Sequence, residues 1–145
     1  MSEPFYLTSG HDGHAEQVIY IPAFSLWQPW ASLMADGRKP WETRHWKGSD
    51  SLIGKEIAIH AAMKVDRDAC EEFGYDWHTI PRGAILSTHR LSAYLQFTES
   101  NIFHVQDPYG DYSVGRWGWL MPLIRKFEQP IPAKGHQGIW NWERA

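Results

Sequence analysis

The alternation of apolar and polar residues along the chain predicts short strands broken by Gly and Pro, with helical spacing in two or three places. Thr8 to Glu16 is small, polar and Gly-containing, so residues 1–17 are expected as a flexible N-terminal arm. Val18-Ile19-Tyr20-Ile21 is β-branched and aromatic and predicts a strand, which Pro22 ends or places at an edge. Pro29 suits the first turn of a helix, Trp30, Leu33 and Met34 then share one face, and Asp36-Gly37 is a stop; this predicts a helix over Pro29 to Asp36. Pro40 to Trp46 alternates with period two, so Trp41, Thr43 and His45 face one way and Glu42, Arg44 and Trp46 the other. Lys55 to Ala61 reads as a half-buried strand and Val65 to Phe73 as a short helix closed by Gly74.

The second half follows the same grammar. Ala84 to Phe97 predicts one long strand. Thr98 to Tyr112, rich in Asn, Asp, Pro and Gly, predicts a loop or a single helical turn that is a candidate lid. Trp117 to Leu123 predicts an apolar strand running on to Gln129, where Pro130 and Pro132 break it; Lys134 to Gly138 is turn-rich, and Ile139 to Trp142 is a last strand. Strands outnumber helices, which predicts an α+β fold, a small, partly closed barrel with two or three short helices. At 145 residues the chain is the size of one domain, expected over residues 18–145.

Composition narrows the function classes. The formal net charge of −3 gives no global attraction to phosphate, so any nucleic-acid contact needs a local patch. Cys70 is the only cysteine, which rules out an intrachain disulfide and a multi-cysteine zinc site and suits a reducing cytoplasm. No His-x-His, His-x-x-x-His or acidic triad stands at ligand spacing, so no metal or cofactor is expected. The start Met-Ser-Glu-Pro-Phe-Tyr predicts no secretory leader, and no run nears the roughly eighteen apolar residues of a membrane span. Eight of the nine tryptophans fall in three clusters, at 27, 30, 41 and 46, at 117 and 119, and at 140 and 142. Each ring is either core filling or a platform for a flat ligand.

Trp27-Gln28-Pro29-Trp30-Ala31-Ser32-Leu33, then Gly37-Arg38-Lys39, then Glu42-Thr43-Arg44, resembles the signature of the ASCH domain, the activating-signal-cointegrator homology module, similar in fold to PUA domains. The resemblance continues through His60-Ala61, Pro81-Arg82-Gly83-Ala84 and Pro132 to Trp140, and so spans nearly the whole chain. It implies a PUA-like mixed β-barrel with a helix-lined cleft that binds RNA, single-stranded nucleic acid or a modified nucleotide. Some single-domain members are enzymes, an acetylcytidine amidohydrolase and a ribonuclease among them, so the alternative expected for this chain is a metal-independent hydrolase acting on an acylated nucleoside or RNA. In the amidohydrolases the motif carries threonine where this chain has Glu42; Thr43 turns to the opposite strand face, and Glu99 is a candidate counterpart for a further glutamate of those enzymes.

The residues that carry this chemistry are Lys39, Glu42 and Arg44, with Trp27 or Trp46 as a stacking platform and Gln28 beside them. A cation, a carboxylate and an aromatic ring together grip phosphate, accept from a base amino group and stack on a base. The same Glu42 and Arg44 also make an ordinary ion pair on a solvated strand face. If the protein is a hydrolase, Lys39 and Glu42 are the catalytic candidates, with His45, His136 or Tyr112 as proton carriers for a ribonuclease. Lys134, Gly135 and Gly138 are expected to form the far wall of the cleft, and Gly115 to Trp119 is a candidate border of it, with Arg116 itself read as a surface charge. A protein-interaction module, with the tryptophans simply filling a core, is the third reading.

Overall fold

The computed structural model describes residues 5–11 and 14–144, with side chains from Val18 onward. Along the chain the elements are β1 (Phe5–His11), β2 (His14–Gln28), α1 (Trp30–Ala35), β3 (Trp41–Arg44), β4 (Glu56–Val65), α2 (Arg67–Phe73), β5 (Ala84–Arg90), β6 (Ala93–Gln96), β7 (Trp117–Leu120), β8 (Leu123–Pro132) and β9 (Trp140–Arg144), with 3-10 turns at Asp50–Leu52 and Ile102–His104. The fold is α+β, mostly strands with two short α-helices.

Strands β1, β2, β4, β5 and β8 hydrogen-bond in that order, and β9 adds to β2; β3, β7 and β6 make a second, three-stranded sheet. Among the described residues no ladder joins the two sheets, so the expected barrel is not closed by strand pairing. β2 is the long strand at the centre. It pairs in parallel with β4 and antiparallel with β9, and the parallel crossover from β2 to β4 contains both α1 and β3.

Alternation along β2, β4 and β5 sorts their side chains onto two apolar layers. Phe24, Ile57, Ile59, Ala61, Ala84 and Leu86 pack on one face with Ala31, Met34 and Ala35 of α1 and with Trp119 and Met121. Ile21, Ala23, Ala58 and Ile85 pack on the other with Phe127 and Trp142. Burial on both faces is why Ile57-Ala58-Ile59 and Ala84-Ile85-Leu86 run without a polar residue, and why the polar residues beside them, His60, Ser87 and His89, are buried with internal partners.

The two helices form where the sequence places them. Asp66 caps α2 by accepting the Ala69 N–H at 3.0 Å, and Gly74, at φ 85°, ends it in the left-handed region. Several strand boundaries differ from the expectation. The loop predicted over Thr8 to Glu16 runs instead through β1 and the start of β2, which pair Ser9 with Glu16 and His11 with His14. Asp12 and Gly13, between those last partners, lie outside the described residues, as do residues 1–4 of the expected arm. Pro22 does not end its strand. It falls between the stretch of β2 paired with β1, which ends at Tyr20, and the stretch paired with β4, which begins at Ala23.

The long strand predicted over Ala84 to Phe97 is two strands in two sheets. Arg90 N–H bonds to Pro122, Leu91 N–H to Lys55 and Ser92 N–H to Leu120, so the chain changes partners while the Leu91 side chain drops into the core. The strand predicted from Trp117 to Gln129 is likewise two, β7 and β8. Pro130 and Pro132 are tolerated in β8 because the register with β5 slips between Ile131 and Lys126 and Pro132 stands at the strand end.

One buried pair links these layers. His89 sits 1% exposed between Ser87 Oγ, 2.8 Å from Nε2, and the Met121 carbonyl, 3.0 Å from Nδ1. Burial holds its imidazole neutral and pushes its pKa down to about 4 from 6.5. The unfolded chain therefore binds a proton on acidification that the folded chain refuses, and stability present above pH 6.5 is lost as pH falls towards 4, by about 3 kcal/mol for this group. Urea unfolding at stepped pH should show a shallower loss over that window in His89→Gln than in the natural chain. Leu33 of α1, fully buried, tests the helix contact separately: Leu33→Ala should cost about 2–5 kcal/mol by the same measurement.

Candidate functional site

The site begins where α1 stops. Gly37, at φ 72°, takes the left-handed turn, and the N–H groups of Arg38 and Lys39 both return to the Leu33 carbonyl, at 3.0 and 3.1 Å. That turn folds Lys39 back beneath the helix, and Pro40, whose carbonyl accepts the Met121 N–H at 2.8 Å, delivers the chain into β3. In β3, Glu42 stands opposite Trp119 and Arg44 opposite Trp117 of β7. Period two then points Glu42 and Arg44 the same way, as the sequence predicts.

The three groups meet. Lys39 is only 2% exposed and Glu42 only 7%. The Lys39 ammonium donates to the Trp41 carbonyl and lies 3.5 Å from Glu42 Oε1. Glu42 Oε1 also accepts the Thr43 N–H at 2.9 Å, and Oε2 lies 3.5 Å from Arg44 Nη2. The Arg44 guanidinium rests over the Phe24 ring, 5.0 Å from its centroid, and 5.8 Å from that of Trp119. A carboxylate between two cations, with Lys39 and Glu42 both withdrawn from water, is unlike the loose ion pair of a solvated strand.

This cluster forms the floor of an open cleft of about 740 Å³. Ser25, Leu26, Trp27 and Trp30 supply one wall from the end of β2 and the start of α1, and Tyr109 to Asp111 with Arg116 supply the other. The far wall is fastened to the helix: Trp30 Nε1 donates to the Tyr109 carbonyl at 2.7 Å, and Arg38 Nη2 donates to the Tyr109 hydroxyl at 2.8 Å. Arg116 reaches across to Thr43, donating to its carbonyl at 3.2 Å and its hydroxyl at 3.1 Å, and lies 3.7 Å from Asp111.

The other sequence candidates separate. Trp27 lines the cleft and is 48% exposed, with Lys64 Nζ 4.0 Å from its ring centroid. Trp46 is more exposed still but does not line the cleft. Gln28, fully buried, has its amide occupied within the protein: Nε2 donates to Ser32 Oγ and to the Pro81 carbonyl, both at 2.8 Å, and Oε1 accepts the Ser32 N–H at 2.9 Å. Lys134 and Gly135 border a second cavity of about 560 Å³ with His60 and Met63, and this cavity meets the main cleft at Ser25. Gly138 borders neither.

The proton carriers named from sequence also disperse. Tyr112 donates to Asp107 Oδ1 at 2.7 Å, and burial first, then that bond, raises its phenol pKa above the ordinary value of 10, so it stays protonated. His136 borders the second cavity, His45 lies against Arg116 outside the lining, and Glu99 is exposed away from it. Ser25, Trp30, Tyr109 and Arg116 belong to the cleft and were not among the sequence candidates for ligand contact. Only Arg116 carried a usable signal, its place directly before β7, the partner of β3. Among the described residues no group of three or more His, Cys, Asp or Glu side chains stands close enough to hold a metal ion. No helix among the described residues is long and apolar enough to cross a membrane.

No protein-family model and no curated protein matches the chain. Among solved structures, a single-residue variant of an ASCH protein from Zymomonas mobilis is similar at a TM-score of 0.50 and 19% identity, over 77% of this chain and 74% of that one. A second variant from the same organism gives a TM-score of 0.49 at 20% identity, over 77% and 72%. At that identity the likeness speaks for fold and not for activity. The first of these structures and the helix–turn–strand that carries Lys39, Glu42 and Arg44 agree with the resemblance read from the sequence: this chain has the fold of an ASCH domain.

Proposed function

We propose that the main cleft binds single-stranded RNA or a modified nucleotide. The observation that carries this reading is the Lys39–Glu42–Arg44 cluster on the cleft floor beneath the half-exposed Trp27 ring. Each part has a counterpart in an unpaired nucleotide. Arg44 and Arg116 offer forked donors to phosphate, Glu42 accepts from a base amino group, and the indole of Trp27 stacks on a base. Cations gathered in one cleft supply the local attraction that a net charge of −3 denies the molecule as a whole. On this reading the two sheets and α1 are a PUA-like arrangement left open on the ligand side, and residues 18–145 act as one cytoplasmic binding domain.

Titration of a fluorescent single-stranded RNA oligonucleotide tests the proposal. Affinity should fall as salt rises, and Arg44→Ala and Arg116→Ala should each lower the salt slope by about 0.7, the contribution of one phosphate contact on a single strand. Trp27→Ala should weaken binding by about 1–3 kcal/mol at any salt concentration, the worth of one base stacked on an aromatic ring. Parent-like binding by all three variants would remove the cleft as the RNA site.

The cluster makes a further prediction about folding. Glu42→Ala strands the buried Lys39 ammonium without its carboxylate and should cost about 3–5 kcal/mol in urea unfolding. Lys39→Ala should cost less, because Arg44 still faces Glu42.

A further inference from the structure

Ser25 and His60 are cross-strand partners on the parallel pair β2 and β4. Their side chains meet, Ser25 Oγ lying 2.8 Å from His60 Nδ1, and the other ring nitrogen, Nε2, lies 2.7 Å from the Ala133 carbonyl oxygen. A carbonyl only accepts, so Nε2 carries the proton of the neutral ring. Nδ1 is left as an acceptor, and the Ser25 hydroxyl donates to it.

The ring is held in place. It is 3% exposed, Trp140 meets it edge-on at 5.5 Å between centroids, and Gly135 closes over the pair. A Cβ at Gly135 would come within 2.7 Å of His60 Cε1 and 2.9 Å of Ser25 Oγ, so only glycine lets the backbone lie there. Ser25 itself borders both the main cleft and the second cavity, and its hydroxyl lies on the side of the second cavity, against Gly135. The contrast is Ser87 with His89, where the serine meets Nε2 and the Met121 carbonyl accepts from Nδ1, the two ring nitrogens exchanged. That pair is sealed in the core and borders neither cavity.

A serine hydroxyl that donates to an imidazole, whose far nitrogen is fixed by an acceptor, is the arrangement of an activated nucleophile. We propose that Ser25 attacks the carbonyl carbon of small carboxylic esters, with His60 as its base. As Oγ bonds to that carbon, its proton passes to His60 Nδ1 and the carbonyl π electrons move onto oxygen. When the electron pair returns, the ester C–O bond breaks, and the leaving alkoxide takes the proton from Nδ1, giving an alcohol and an acyl-Ser25. Water then attacks the acyl carbon and loses a proton to Nδ1; Oγ leaves and recovers that proton, releasing the carboxylic acid. Throughout, the Ala133 carbonyl steadies the charged ring. None of this depends on which ligand the main cleft binds.

The natural chain is tested with p-nitrophenyl acetate and with a fluorophosphonate that phosphonylates activated serines. The expected result is a burst of p-nitrophenolate and one equivalent of label, mapped by peptide mass spectrometry to Ser25. Ser25→Ala should abolish both, and His60→Gln should slow both by at least about a hundredfold. Circular dichroism establishes whether each variant folds. Should either not fold, the label position on the natural chain decides alone. Absence of label, label on Ser87 or any other serine, or unchanged ester cleavage in folded Ser25→Ala would overturn the assignment. RNA binding is read on separate samples, so failure of either proposal is seen independently of the other.

Discussion

A buried amide must find all its partners inside the protein, because an unmet donor or acceptor there costs about 1–3 kcal/mol. Gln28 meets that demand by tying four segments together at the end of β2. Its side chain holds Ser32 in α1 and the Pro81 carbonyl ahead of β5, and its own carbonyl accepts the Asp66 N–H at the start of α2. The start of α1 is thereby set against the sheet, the helix length sets where Gly37 turns, and the turn sets where Lys39 and β3 arrive. The position of the ionic cluster thus descends from a side chain whose amide is engaged inside the protein.

What was legible in the sequence is what local chemistry decides. α1 and α2 were readable because Pro29, Asp36-Gly37, Asp66 and Gly74 act on their immediate neighbours. The shared direction of Glu42 and Arg44 was readable because strand alternation needs no tertiary information. The break between β5 and β6 was not, because Leu91 continues the apolar pattern while the chain exchanges one sheet for another. Gln28 reads as a ligand group from its place beside Trp27, and only the arrival of Pro81 from a distant segment reveals it as an internal bracket. Ser25 and His60 are thirty-five positions apart, and a lone serine and a lone histidine carry no signal until β2 and β4 are paired.

The two serine–histidine pairs show how setting separates structure from chemistry. A hydroxyl, a ring and a carbonyl occur together at Ser87–His89–Met121 and at Ser25–His60–Ala133, with the two ring nitrogens exchanged. In the first, packing on every side makes the contacts a polar rivet in an apolar layer. In the second, the serine borders two cavities, and Gly135 provides the close backbone cover.

The bonds from Trp30 and Arg38 to Tyr109 have a consequence for the thermodynamics of recognition. They join the segment forming the far wall to the helix whose C-terminal turn presents the floor, so on the proposed reading the cleft is braced before any ligand arrives. A braced gap discriminates by thickness and shape, and a guest that fits it loses its own freedom without also having to immobilise a loop. Selectivity in such a gap rests on the rigidity of its frame as much as on the charges at its base.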